Sequence, residues 1–180
     1  MHRYILTGAP GSGKTVILRA LERRGYAVVE EAATDVCALE QARGHAEPWT
    51  SARFIDDIVR LQRRREEAAA HGPVQVFDRS PVCTLALARF LGHPTPKSLA
   101  RELGRVQSQA VYQRQVFFVE SLGFMTNTEV RRITLEDARR FGEAHEAAYG
   151  ELGYELVRIA PGTPDARAEA VSRLIEAAPA

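Results

Sequence analysis

The chain has 180 residues, 45% of them hydrophobic and 26% charged, with 24 Lys and Arg against 23 Asp and Glu. That size and balance fit a single ordinary globular domain over 1–180, exclude any need for a disulfide or metal staple, and give no global electrostatic case for nucleic acid or an acidic membrane surface. Two cysteines without Cys-x-x-Cys or Cys/His spacing, Cys37 and Cys83, argue against a disulfide scaffold or zinc finger and favour a reducing, cytoplasmic setting.

In chain order, the first segment is an apolar, strand-like run at residues 3–7, preceded by no signal-peptide pattern. It leads into Gly8-Ala9-Pro10-Gly11-Ser12-Gly13-Lys14-Thr15, after which Val16 and the residues to 21 read as helix. A second strand is expected at 27–30, and a helix at Ala32–Ala42 after the pair Glu30-Glu31. Residues 44–49 read as a loop with freedom to move, with Trp49 either closing a pocket or packing at the edge of the core. The segment 52–70 is amphipathic, with Phe54, Ile55, Ile58, Val59 and Leu61 on or near one face and Arg60, Arg63, Arg64, Arg65, Glu66 and Glu67 largely opposite, on a solvated side.

The third strand is expected at 74–77 and ends on Asp78-Arg79-Ser80. Ser80-Pro81 and Thr95-Pro96 open the next two helices, because an oxygen side chain satisfies first-turn N–H groups and proline lacks the one that would be orphaned. A fourth strand at 115–120 is followed by a loop, 121–133, carrying Asn127, Glu129, Arg131 and Arg132. Thr134 with Asp137 resembles a capping box and opens a helix that Gly153 closes; a fifth strand at 154–159 and a helix from Thr163-Pro164 complete the chain. Strands alternate with helices and show little period-two patterning, which predicts an α/β fold whose mostly parallel sheet is covered on both faces.

Residues 8–15 match G-x-x-x-x-G-K-[ST] between a strand and a helix, the context in which this Walker A pattern cradles phosphate. Glycine at 8, 11 and 13 lets successive N–H groups point inward, and the helix that follows adds its positive end. Gly8, Ala9, Pro10, Gly11, Ser12, Gly13, Lys14, Thr15 and Val16 are therefore the expected nucleotide-binding residues. Lys14, one of only two lysines in the chain, would reach the β- and γ-phosphates, and the Thr15 hydroxyl would ligate Mg²⁺.

Ligands of an open α/β sheet lie beyond the carboxyl ends of its strands, so the polar residues there are the next candidates. Asp78 stands where a Walker B carboxylate would, to hold the Mg²⁺ water shell or orient an acceptor hydroxyl, or else it pairs with Arg79 or caps a helix. Arg79 would bind acceptor or phosphate, or form an ion pair. Glu31 is a candidate base or substrate partner, unless Glu30-Glu31 merely starts the helix. Arg131 or Arg132 would swing over the transferred phosphoryl group, with 121–134 as the lid-like segment; the alternative is a pair of surface arginines. The five histidines show no metal-binding spacing.

With its Walker motif, Glu30-Glu31-Ala32-Ala33, Phe77-Asp78-Arg79-Ser80, Arg131-Arg132 and Gly153-Tyr154-Glu155-Leu156-Val157 in this order, the chain resembles the small AAA-domain ATPase/kinase-like proteins related to the ribosylnicotinamide kinase domain of bacterial NAD regulators. The resemblance implies a P-loop NTPase, kinase-like three-layer sandwich with a five-stranded parallel sheet in the order 2-3-1-4-5, binding a nucleoside triphosphate with Mg²⁺. Asp78-Arg79-Ser80 is also similar to the Asp-Arg or Glu-Arg-Ser motif of deoxynucleoside and thymidylate kinases, where the carboxylate lies near the acceptor and the Arg binds phosphate. Thr34 departs from the family, many of whose members have Arg there. The expected function is ATP-dependent transfer of a phosphoryl group to a small hydroxyl acceptor such as a nucleoside; the alternative is a nucleotide-dependent switch or ATPase without such an acceptor.

Overall fold

The computed structural model describes residues 1–70, 72–122 and 134–178, and at Leu135 the backbone alone. Asn127, Glu129, Arg131 and Arg132 lie outside the described residues, as does most of the lid-like segment 121–134.

Among the described residues the elements run β1 (His2–Thr7), α1 (Lys14–Arg23), β2 (Ala27–Val29), α2 (Ala32–Ala42), a 3₁₀ turn (Pro48–Thr50), α3 (Arg53–Ala68), β3 (Val74–Asp78), α4 (Pro81–Phe90), α5 (Lys97–Ser108), β4 (Gln115–Val119), α6 (Leu135–Glu151), β5 (Glu155–Ile159) and α7 (Pro164–Glu176). The strands form a five-stranded sheet in the order β2-β3-β1-β4-β5, parallel throughout. The expected fold class and strand order are both found.

The apolar strands have a direct cause. Successive side chains of a strand point to opposite faces, and here each face meets its own helical layer. Ile5, Phe77 and Val116 pack with α2 to α6, whereas Tyr4, Leu6, Val76 and Phe117 pack with α1 and α7. Both faces therefore favour apolar residues and alternation disappears; the buried exception Gln75 is satisfied by Arg3 and the Ala70 carbonyl. The Tyr4 and Phe117 rings stack with centroids 5.4 Å apart on the α1/α7 side.

Helix starts follow their caps. Ser80 Oγ accepts from the Val82 N–H at 3.2 Å, and Thr163 Oγ1 accepts from Ala166 N–H at 3.3 Å. Thr134 Oγ1 accepts from Asp137 N–H at 3.0 Å and donates to the Asp137 carboxylate at 2.8 Å, so the Asp reaches the hydroxyl rather than the backbone. Gly153, at φ 74, turns the chain out of α6 into β5.

Four details depart from expectation. Thr95 does not cap α5, whose N-cap is Pro96 with no side-chain bond. Residues 48–50 form a 3₁₀ turn with Pro48 buried, and His93 holds the Trp49 carbonyl at 2.6 Å, so the end of the expected 44–49 loop is pinned. β2 and β4 stop at Val29 and Val119, one residue before Glu30 and Glu120. Glu66 does not lie on a solvated face: it is buried, 3.1 Å from Arg3 and 2.6 Å from Arg105. α5 packs over that side of α3, which makes the covered arc wider than one helix's apolar stripe shows. Arg63 and Arg65 do pair along the surface, with Glu67 and Asp35.

Candidate functional site

The register that pairs Leu6 with Asp78 brings the ends of β1 and β3 to the same level, so the glycine-rich bend and the Asp78-Arg79-Ser80 corner emerge side by side. The Arg79 N–H donates to the Leu6 carbonyl at 3.0 Å and locks the two exits together.

The bend runs from Gly8 to Gly13. Gly8 has φ +136, and a Cβ there would stand 2.4 Å from the Val119 carbonyl oxygen, so only glycine lets the bend sit against the end of β4. Gly13, at φ 89, is the N-cap of α1, and no side chain caps that helix. Its positive end therefore opens into the bend, the arrangement that favours an anion. The Lys14 ammonium donates to the carbonyls of Gly8 at 3.0 Å and Ala9 at 2.8 Å, which holds it within the bend. Pro10 and Ser12 are buried, and Val16 is exposed on the first turn of α1.

A residue that pattern reasoning missed braces this bend from behind. Arg167 of α7 donates from Nη1 to the Ser12 carbonyl at 2.7 Å and from Nη2 to the Glu120 carbonyl at 2.6 Å. Its burial lowers its pKa, with Glu120 acting in the opposite direction. The available signal was position: Arg167 precedes Ala168, Val171 and Ile175, the buried residues of α7, where a surface arginine would not fall.

Thr15 Oγ1 lies 3.5 Å from Asp78 Oδ2. Two hard oxygen donors thus converge beside the bend, a set suited to Mg²⁺, which is usually held by one or two protein groups together with phosphate and water. No group of three or more His, Cys, Asp or Glu that could hold a metal occurs among the described residues.

Arg79 takes Glu31 as its partner, not Asp78. Its Nε lies 2.6 Å from Glu31 Oε1, with both side chains nearly buried. Burial disfavours the guanidinium charge, but Glu31, Cys83 and Asp78 more than offset this and hold its pKa above the ordinary value. Glu31 is the N-cap of α2, and its Oε2 accepts from the Thr34 hydroxyl at 2.8 Å. Glu30 points elsewhere, to Arg19.

A cavity of about 490 Å³ opens beside this pair. Pro10 of the bend, Glu31 and Arg79 line it, with Trp49, Phe54, Phe90 and Phe141 as aromatic and Gln62 and Thr84 as polar lining groups. Asp78 is not among its lining residues. Trp49 both lines the cavity and packs against the core, so its two sequence readings coincide. Ser80, expected only as a cap, also meets the Tyr149 hydroxyl at 2.8 Å, and that hydroxyl lies 3.1 Å from Cys83 Sγ. Burial first, and Cys83 next, keep the Tyr149 phenol well above its ordinary pKa, so it stays protonated.

A family model described as "AAA domain" matches residues 3–167. The chain belongs to the AAA domain family. No protein of curated function matches this family member. Solved structures do. A NadR protein in complex with NR is 15% identical, with TM-score 0.72 over 97% of this chain and 51% of that one. Deoxyadenosine kinase from M. mycoides is 13% identical, with TM-score 0.66 over 98% and 100% of the two chains. Shikimate kinase from Acinetobacter baumannii, in complex with shikimate, is 14% identical, with TM-score 0.61 over 98% and 93%. The AAA domain protein thus spans about half the length of the NadR chain. At these identities the likenesses establish the fold: a P-loop, kinase-like sandwich, as the resemblance in the sequence implied. No described helix is long and apolar enough to cross a membrane.

Proposed function

We propose that this protein is an ATP-dependent phosphotransferase acting on a small hydroxyl-bearing acceptor. The observation that carries the reading is the shared lining of one cavity: Pro10 of the phosphate-type bend borders the same space as Glu31 and Arg79. An acceptor seated there would meet the terminal phosphate at the mouth of the bend. The similar solved structures, whose bound molecules include NR, dCMP and shikimate, support a small-molecule acceptor.

Within this reading the residues of the bend, 8–16, bind the triphosphate, and Lys14 neutralises its terminal charge. Thr15 and Asp78 would hold Mg²⁺, which when bound would supply positive charge against the triphosphate. Asp78, beside Thr15 and outside the cavity lining, serves the metal side. Glu31, lining the cavity, is the carboxylate that accepts the acceptor's hydrogen bond and draws its proton as the acceptor's oxygen bonds to the γ-phosphorus and the bond from that phosphorus to the β–γ bridging oxygen breaks, releasing ADP. Arg79 fixes Glu31, and the aromatic walls exclude water that would compete with the acceptor. Arg131 and Arg132 remain candidates for a cation over the transferred group.

The test is turnover. Purified protein with ATP and Mg²⁺ is offered a panel of nucleosides, sugars and other hydroxyl compounds, and mass spectrometry is expected to find one phosphorylated, with ADP released in equal amount. Hydrolysis to ADP and inorganic phosphate at one rate under every acceptor would overturn the kinase reading in favour of an ATPase or switch.

A further inference from the structure

The corner at 78–80 holds a strained residue. Arg79 has φ 75, in the left-handed region that is unfavourable for a residue with a Cβ and persists only when its surroundings fix it. Those surroundings come chiefly from one stripe of α6, the residues four apart at 141, 145 and 149. The Phe141 ring centroid lies 5.7 Å from Arg79 Cζ and 4.3 Å from the His145 ring. Tyr149 holds Ser80. His145, fully buried, lies between them, its Nε2 2.7 Å from Arg79 Nη1 and its Nδ1 2.7 Å from the Phe141 carbonyl oxygen.

These partners decide the proton. A guanidinium nitrogen only donates and a carbonyl oxygen only accepts. Nδ1 must therefore carry the hydrogen and Nε2 must accept. We infer that His145 is a positioning residue of the proposed active site: as the neutral Nδ1–H tautomer it accepts a hydrogen bond from Arg79 and thereby fixes Glu31 in the lining of the cavity.

The choice of residue type follows from charge. Arg79 is already balanced by Glu31. A carboxylate at 145 would compete for the guanidinium and release Glu31, and an amine or imidazolium would repel it. A neutral acceptor, itself oriented by a backbone carbonyl, is what leaves the Arg79–Glu31 pair intact. Burial, and then the Arg79 charge, hold the imidazole pKa well below its ordinary value, which agrees with that form. The same logic of a second group setting the tautomer operates wherever an imidazole acts through one nitrogen.

This inference rests on the proposed function for its catalytic consequence but not for its geometry, so the test reads both. Long-range ¹H–¹⁵N correlation on the intact protein near neutral pH is expected to show His145 protonated at Nδ1 and bare at Nε2; the opposite tautomer or an imidazolium would overturn the assignment. His145→Gln places an amide oxygen near the position of Nε2, whereas His145→Leu offers no acceptor. Losing a hydrogen bond to a charged group corresponds to about tenfold or more. The Arg79 Nε–H is accordingly expected to exchange with water about tenfold faster in the Leu variant and at a near-parental rate in the Gln variant.

If an acceptor is phosphorylated, kcat should fall by a similar factor in His145→Leu with ATP affinity unchanged, and recover in His145→Gln. Equal losses in both folded variants, or none in either, would refute the positioning role. Should no acceptor turn over, the tautomer and the Arg79 exchange rate still decide the inference while the kinase reading alone fails. Should His145→Leu not fold, the tautomer and the Gln variant decide it.

Discussion

Thr15 Oγ1 and Asp78 Oδ2 stand 3.5 Å apart although 63 residues separate them in the chain. One belongs to the first turn of α1 and the other ends β3, and the parallel pairing of β1 with β3 brings them together. If this is the metal side of the site, Asp78→Asn should leave ATP binding in chelator nearly unchanged and abolish most of the gain that Mg²⁺ adds. Titration calorimetry with and without Mg²⁺ would show it; an undiminished Mg²⁺ effect would move the metal elsewhere.

Lys14 is tied to two carbonyls of its own bend. Lys14→Ala should keep the fold and weaken triphosphate binding by roughly 1.5–3 kcal/mol, the range for a charge-assisted contact, or about ten- to a hundredfold. Affinity for nucleoside without phosphate should not change. Equal weakening of both would show that the substitution disturbs the bend rather than a phosphate contact.

Gly8 tests the bend by sterics alone. Its φ of +136 and the 2.4 Å separation that a Cβ would have from the Val119 oxygen leave no room for alanine. Strain at one such position costs about 1–3 kcal/mol, and a backbone clash adds to it. Gly8→Ala should lower the denaturation midpoint by a corresponding amount, whereas Gly44→Ala, where a Cβ would meet nothing within 4 Å at a comparable positive φ of +93, should cost only the backbone strain. Equal losses at both positions would mean that β4 does not crowd the bend.

The cluster of Glu66 with Arg3 and Arg105 lies at the amino ends of the strands, away from the site. Tyr112 joins it 3.5 Å from Glu66, its phenol pushed well above the ordinary pKa, by burial first and then by the Glu66 charge. Glu66→Leu removes the acceptor shared by Arg3, Arg105 and Tyr112, leaving Arg105 with Glu102 and Arg3 with Gln75, and should cost about 1–3 kcal/mol. Adding Arg105→Leu should return part of that loss, and nucleotide affinity should be unaffected in either variant. Additive losses in the double variant would contradict a shared buried network.

Acid should weaken the fold through His145. Its folded pKa is depressed, by burial first and by Arg79 second, so the unfolded chain takes up its proton more readily. The stability it contributes is complete above the unfolded value of about 6.5 and is lost progressively as the pH falls below it, at up to ~1.4 kcal/mol per pH unit. Lys14 and Glu31 also act on the imidazole, in opposite senses. Urea melts from pH 7.5 to 5 should show this slope in the parent and a shallower one in His145→Gln; parallel slopes would locate the acid sensitivity in other groups.

How much of this was legible in the sequence depends on how far apart the interacting parts lie. β1 and its bend were readable because both faces of the strand are covered and the glycines answer to local backbone geometry. The Asp78-Arg79-Ser80 corner was placed correctly at a strand end, but the partner of Arg79 was not determined. Asp78 is its neighbour in sequence, yet Glu31, 48 residues earlier, is the carboxylate within 2.6 Å. Glu66 falls among solvated charges on a helical wheel because the wheel registers one stripe and cannot register the second helix that covers the next one. His145 has no metal-ligand spacing; its signal in the sequence is a single imidazole on the side of α6 that also carries Ala138, Phe141 and Tyr149, all buried. Arg167 left a similar mark, a charge at the start of a buried stripe.

That arginine also bears on where the unit can be cut. The five strands are complete at Ile159, and a truncation there would look harmless on a topology diagram. Yet Arg167 ties together carbonyls at Ser12, Glu120 and Ile159, so α7 works as a keystone for a bend made 155 residues earlier. A nascent polypeptide would finish its sheet before it could finish its phosphate loop.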